Sequence, residues 1–122
     1  MKKLLFLLFA FVCISTSSCR LHHNDLEITY SDADHEYSMV AYFNTNKMRE
    51  VEYYLSRELG RGNKMSFSRR TDATITLHDQ TRFYLRKDPG HIKIVLDKNE
   101  NSRAAYRRMK SVCERMKVVL TK

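Results

Sequence analysis

The stretch TRFYLRKDPGHIKIVL, residues 81–96, decides the fold of this chain. Apolar and polar residues alternate on both sides of Asp88-Pro89-Gly90-His91, and a period of two is typical of strands with one buried face. Proline followed by glycine fits the two central positions of a type II turn. We therefore predict strands at residues 81–86 and 91–96 that form an antiparallel hairpin.

The same alternation predicts further strands on the N-terminal side of this hairpin. They cover residues 26–30, 36–44, 64–69 and 73–77, and the first of them is short and optional. Between the second and third of these strands, apolar residues recur at steps of three and four, which indicates a helix. This helix runs from a cap at Asn44 or Thr45 to Leu59, and Gly60 ends it.

A second helix is predicted at residues 101–120, with Asn101 or Ser102 as its cap. Its apolar stripe comprises Ala105, Met109, Val112, Cys113, Met116 and Val119 or Leu120. Because Cys113 lies within that stripe, we expect it to be buried as a small apolar side chain rather than to act as a reactive thiol.

Helices with one apolar stripe and strands with one apolar face can bury those surfaces only against each other. This predicts an α+β fold, a two-layer sandwich in which two helices pack on one face of an antiparallel sheet of about five to six strands. The order is β-α-β-β-β-β-α, preceded by the optional strand. This order resembles that of the TATA-binding-protein half and the helix-grip folds, a resemblance that implies the fold and no function.

The N-terminal sequence MKKLLFLLFAFVCISTSS, residues 1–18, is typical of an export signal: two lysines, an apolar segment and then small residues. The following Thr16-Ser17-Ser18-Cys19 resembles a bacterial lipoprotein lipobox, with threonine where that pattern prefers leucine. The resemblance implies lipid modification of Cys19, a tether at residues 19–25 and a single domain at residues 26–122. Ordinary signal cleavage near Ser18, which would leave Cys19 unmodified, is the alternative.

Composition excludes several classes of protein. The chain is 43% hydrophobic with one proline and three glycines, which does not fit a disordered chain. No run reaches the roughly 18 apolar residues that a membrane-spanning helix needs.

Positive charge is concentrated towards the C-terminus. Residues 61–122 hold 16 basic and six acidic side chains, whereas residues 19–60 hold four basic and eight acidic ones. If the apolar residues of the hairpin face the helices, five residues share the opposite face: Arg82, Tyr84, Arg86, His91 and Lys93. Guanidinium groups bind phosphate, sulfate or carboxylate, and an aromatic ring can stack. We interpret this face as a binding surface for an anionic macromolecule or an acidic protein partner; an ordinary solvated sheet face is the alternative.

Catalytic, cofactor and metal motifs are not found. The three glycines form no phosphate-binding loop, and no nucleophile motif is present. The acidic stretch at residues 31–36 lacks the glycine and the distal glutamate of an EF-hand loop, so we expect a solvated turn there rather than a metal site.

The sequence therefore predicts a non-enzymatic binding module of the bacterial cell envelope that requires no cofactor. Its expected partners are the membrane, through lipid on Cys19, and an envelope protein or polyanionic ligand. Genomic nucleic acid is not expected, because an exported chain does not meet it. A soluble exported enzyme inhibitor or accessory subunit, and a small hydrolase with a dispersed site, are the alternative functions.

The lipobox resemblance yields the first testable prediction. Cys19→Ala should abolish lipid labelling and release the protein from membranes, whereas Cys13→Ala, within the predicted signal, should leave both unchanged. Metabolic labelling with a radioactive fatty acid, followed by membrane fractionation, measures both effects. Absence of label on the wild-type protein, or label that persists on the Cys19 variant, would contradict acylation at this residue.

Overall fold

A computed structural model of the chain describes residues 26–60 and 70–122. These residues contain five strands: β1 (Glu27–Asp32), β2 (Glu36–Tyr42), β3 (Thr71–Thr76), β4 (Arg82–Asp88) and β5 (His91–Asp97). They also contain two α-helices, α1 (Met48–Leu59) and α2 (Arg103–Thr121), and a short 3-10 turn precedes each helix, at Thr45–Lys47 and Lys98–Glu100.

The strands form one antiparallel sheet in the order β1-β2-β5-β4-β3. Both helices contribute to a core on one side of this sheet, so the predicted α+β fold is confirmed. The optional first strand is present and pairs with β2. The strand predicted at residues 64–69, the signal segment and Cys19 lie outside the described residues.

The predicted Pro89-Gly90 turn joins β4 to β5, and Asp88 pairs directly with His91 across it. Gly90 has φ +77°, the left-handed conformation that a type II turn requires at its third position. The turn also meets the end of β2, because the Phe43 amide donates a hydrogen bond of 2.9 Å to the Gly90 carbonyl. A Cβ atom at residue 90 would lie 2.8 Å from the Phe43 carbonyl oxygen, so only glycine fits here.

Side-chain caps fix the start of each helical segment. The Asn44 side chain accepts a hydrogen bond of 3.0 Å from the Asn46 amide at the 3-10 turn before α1. The Ser102 hydroxyl accepts one of 3.0 Å from the Ala105 amide at the start of α2. Asn101, the other cap candidate, instead bonds both backbone groups of Arg82 and thereby joins the α2 entry to β4.

The core combines the inner faces of the strands with the apolar stripes of both helices. Its buried helix residues are Val51, Tyr54, Leu55 and Leu59 from α1 and Met109, Val112, Cys113, Met116 and Leu120 from α2. The Tyr54 hydroxyl donates a hydrogen bond of 2.6 Å to the Val112 carbonyl, which links the two helices within the core. Burial raises the pKa of the Cys113 thiol, as expected for an apolar position on the stripe.

Lys87 is the one charged side chain that is buried among the described residues, and the sequence analysis did not predict its burial. β4 continues two residues past the predicted end at Arg86, and the period of two then turns Lys87 towards the helices. Its side chain is only 1% exposed, and its Nζ lies 3.3 Å from Oε2 of Glu52 on α1. This ion pair joins β4 to α1 at the border of the core.

The position of Met116 in the core gives a second prediction. Met116→Ala should lower the free energy of unfolding by about 2–5 kcal/mol, because it empties a fully buried site. The neighbouring exposed residue Lys117 provides the control, since Lys117→Ala should change the free energy of unfolding by less than about 0.5 kcal/mol. Chemical denaturation of both variants measures the difference. An effect of Met116→Ala in the control's range would show that a different face of α2 packs on the sheet.

Candidate functional site

The five residues selected from the sequence lie together on the face of the sheet that points away from the helices. Arg82, Tyr84 and Arg86 come from β4, and His91 and Lys93 come from β5. The strand register pairs Arg86 with Lys93. The hairpin therefore brings the basic residues and the tyrosine onto one continuous surface.

Acidic residues on the same side compensate both arginines. The Arg86 Nε lies 3.0 Å from Oδ2 of Asp88, and the Arg82 Nε lies 3.8 Å from Oε1 of Glu100. Asp88 also pairs with Arg70, at 3.5 Å. The hydrogen bond from Arg86 holds the pKa of Asp88 below its usual value. Much of the positive charge expected on this face is therefore neutralised within the protein.

Tyr84 is also engaged within the sheet. Its hydroxyl donates a hydrogen bond of 2.7 Å to Oδ1 of Asp72 on the edge strand β3. This bond to a carboxylate raises the pKa of the Tyr84 hydroxyl. The ring of Tyr84 remains half-buried on the surface, where it can still make apolar contacts.

Lys93 differs from the arginines. It is exposed on β5, the middle strand of the sheet, between Val40 of β2 and Arg86 of β4. Within residues 26–60 and 70–122, no carboxylate lies within ion-pair distance of its ammonium group. Lys93 is therefore a cation at the centre of the sheet that is open to a ligand.

An apolar band surrounds this lysine. Val40 and Val95 are half-buried on the same face, and Val95 pairs with Tyr84. At the end nearest the Pro89-Gly90 turn, the rings of Tyr42 and His91 pack with their centroids 4.6 Å apart. We call the surface formed by Val40, Tyr42, Tyr84, His91, Lys93 and Val95 the outer patch. It combines apolar groups with one cation that has no acidic partner among the described residues.

Sequence reasoning found the cations and the tyrosine of this face but missed its acids. The signal was present for Asp72, which lies three residues before the buried Ile75 and therefore, with a period of two, belongs to the outer face. For Glu100 no local signal existed, because it follows β5 in the 3-10 turn and reaches Arg82 only through the fold.

The acidic stretch at residues 31–36 contains a structural contact between β1 and α2. The Asp32 carboxylate accepts hydrogen bonds from Lys98 Nζ at 2.7 Å, the Tyr106 hydroxyl at 2.6 Å and Lys110 Nζ at 3.0 Å. These donors, Lys98 first, hold the pKa of Asp32 far below its usual range. In the part of the chain that the structure describes, no three His, Cys, Asp or Glu side chains are grouped so as to hold a metal ion.

No helix among the described residues is long and apolar enough to cross a membrane. No protein-family model, curated protein or solved structure matches the chain at a significant level. The interpretation of the outer patch therefore depends on its own geometry and charge.

The Asp32 contact predicts acid sensitivity. Because the folded-state pKa lies below the unfolded value of about 3.8, the stabilisation is present above that value and is lost as the pH falls through and below it. Asp32→Asn should therefore lower the melting temperature at pH 7. The difference in melting temperature between variant and wild type should become smaller below pH 4. Asp34→Asn, at an exposed residue with no ion pair in the described structure, should have no such effect. A difference in melting temperature that stays constant between pH 7 and pH 3 would contradict this role of the Asp32 charge.

Proposed function

We propose that this chain is a lipid-anchored, non-enzymatic binding module of the bacterial cell envelope, and that its outer patch binds an acidic segment of a protein partner. The observation that carries the proposal is Lys93, a cation at the centre of an apolar band with no carboxylate partner among the described residues. The helices pack on the other face of the sheet, and within residues 26–60 and 70–122 no helix covers this one.

The outer patch has the composition of a protein-binding surface. Such surfaces combine an apolar and aromatic centre with a polar rim. Here Val40, Val95 and the Tyr84 ring form the centre, and the ion pairs of Arg82 and Arg86 form part of the rim. A partner that covers Lys93 has to supply an opposite charge, because a buried cation without one is strongly unfavourable. We therefore expect an aspartate or glutamate beside apolar residues in the partner.

The distribution of charge favours a protein over a long polyanion. A chain of phosphates or sulfates binds best to several cations that have no acidic partners. On this face Asp88 engages Arg86 and Arg70, Glu100 engages Arg82, and Asp72 adds a further negative charge beside Tyr84. A single carboxylate needs only one cation without an acidic partner, and among the described residues of this face Lys93 supplies it.

The proposed anchor limits where the partner can be. Residues 20–25 separate Cys19 from Leu26, the first described residue, and six extended residues span about 20 Å. Leu26 lines a surface depression together with Leu120 and Lys122, at the end of the molecule where α2 ends. The partner is therefore expected within the layer of the envelope next to the membrane.

Charge reversal at Lys93 tests the proposal. A photocrosslinking phenylalanine analogue at Tyr42, which is 51% exposed on the outer patch, should give a discrete protein adduct in native membranes. Adding Lys93→Glu should reduce this adduct at least tenfold, because a buried charge pair is lost, whereas Lys93→Arg should retain most of it. The melting temperature should stay unchanged, since Lys93 is exposed.

The matched control places the same analogue at Tyr53, which is 65% exposed on α1. This position should give no adduct that depends on residue 93. The same adduct in equal yield from both positions would contradict the proposal. So would an adduct at Tyr42 whose yield is unchanged by Lys93→Glu. Crosslinking to acidic polysaccharide in place of protein would contradict the choice of a protein partner.

A further inference from the structure

A cavity of about 460 Å³ lies where the β1–β2 turn, the 3-10 turn after β5 and the first two turns of α2 meet. Its lining, as far as the structure describes the chain, includes three basic side chains, the ring of Tyr106 and one acid, Asp34; the basic side chains are Lys98, Arg103 and Arg107. Its size falls within the range of small-molecule sites. The cavity does not include any residue of the outer patch.

The two arginines of the cavity have no acidic partner in the described structure. On the same helix, Arg108 pairs with Asp79, Lys110 with Asp32 and Arg115 with Glu58. Arg103 and Arg107 have no carboxylate within ion-pair distance among residues 26–60 and 70–122. The remaining cation of α2, Lys117, lies almost four turns from Arg103, about 21 Å along the helix. Two uncompensated guanidinium groups are thus concentrated at one cavity.

Helix geometry sets both guanidinium groups on the same side of α2. Residues 103 and 107 are four positions apart, so their side chains are neighbours on the helix surface. Each guanidinium group can present two parallel N–H donors to the oxygens of a phosphate. Lys98 also lines the cavity, although its ammonium group already contacts Asp32 and the Ala33 carbonyl. The arginines are therefore the groups available to an anion.

The other side chains of the cavity favour an organic phosphate over a bare ion. The Tyr106 hydroxyl donates its hydrogen bond to Asp32, so the ring is the part of this side chain that can contact a ligand in the cavity. Lys98 Nζ lies 4.5 Å from the ring centre. The Asp34 carboxylate is exposed and can accept hydrogen bonds from hydroxyl groups of a ligand. The cavity thus offers donors for phosphate, a surface for carbon atoms and an acceptor for hydroxyl groups.

We infer that this cavity binds a hydroxyl-bearing phosphate ester through Arg103 and Arg107. A free sugar or glycerol phosphate and the headgroup of a phosphatidylglycerol lipid share this chemistry. The inference is independent of the partner proposed for the outer patch, because it uses different residues.

Titration of the detergent-solubilised full-length protein with glycerol 3-phosphate tests the inference. The side-chain Nε–H signals of Arg103 and Arg107 in nuclear magnetic resonance spectra should shift saturably. Arg103→Ala or Arg107→Ala should each weaken binding about tenfold, the loss expected for a charged hydrogen bond. Asp34→Asn should strengthen binding, because it removes a negative charge from the wall while its amide oxygen can still accept a hydrogen bond from a hydroxyl group of the ligand.

Arg49→Ala is the matched control, since Arg49 is an exposed arginine on α1 without an ion pair in the described structure. It should leave both the affinity and the melting temperature unchanged. A second arm uses vesicles that contain phosphatidylglycerol. Binding to these vesicles that requires both cavity arginines, without binding of glycerol 3-phosphate, would identify a lipid headgroup as the source of the phosphate.

Two results would overturn the inference. One is the absence of saturable binding in both arms. The other is binding that Arg49→Ala weakens as much as Arg103→Ala does, because this would reflect the overall positive charge of the protein rather than a defined site.

Discussion

The register of the central strand β5 is the constraint on which the rest of the structure depends. β5 pairs with β2 on one side and β4 on the other, and its alternate residues Ile92, Ile94 and Leu96 are all fully buried under the helices. A shift by one residue would move this whole set to the open face. The Pro89-Gly90 turn prevents that shift towards β4, and the hydrogen bond from Phe43 to Gly90 aligns the end of β2 with the same turn.

This register also determines what the open face can bind. With the apolar residues of β5 turned inward, Lys93 and Val95 point outward at the middle of the sheet. The ion pairs of neighbouring residues remove the arginines as free cations and leave Lys93 as the distinctive charge of the outer patch. The proposed protein-binding role therefore follows from the same alternation that builds the core. The cavity at α2 belongs to the other layer, where Asp32 holds the helix against β1.

The hairpin, the apolar stripe of α2 and the α+β architecture could be predicted from the sequence because each depends on local periodicity. The pairing of β2 with β5 could not, since residues such as Met39 and Ile94 are far apart in the chain and local patterns do not specify strand order. The burial of Lys87 was missed because the predicted strand ended at Arg86, two residues before the end of β4. Contacts such as those of Asp32 with α2 depend on the packed helix and carry no sequence signal of their own.

We propose that the outer patch on the open face of the sheet is the working surface of the protein. Hydroxyl-radical footprinting tests it most directly, by comparing the purified protein with the protein in its native membranes. We expect Tyr42 on the outer patch to become several-fold less reactive in membranes, while Tyr53 on α1 keeps its reactivity. Equal reactivity of Tyr42 in both preparations, or protection of Tyr53 instead, would contradict it.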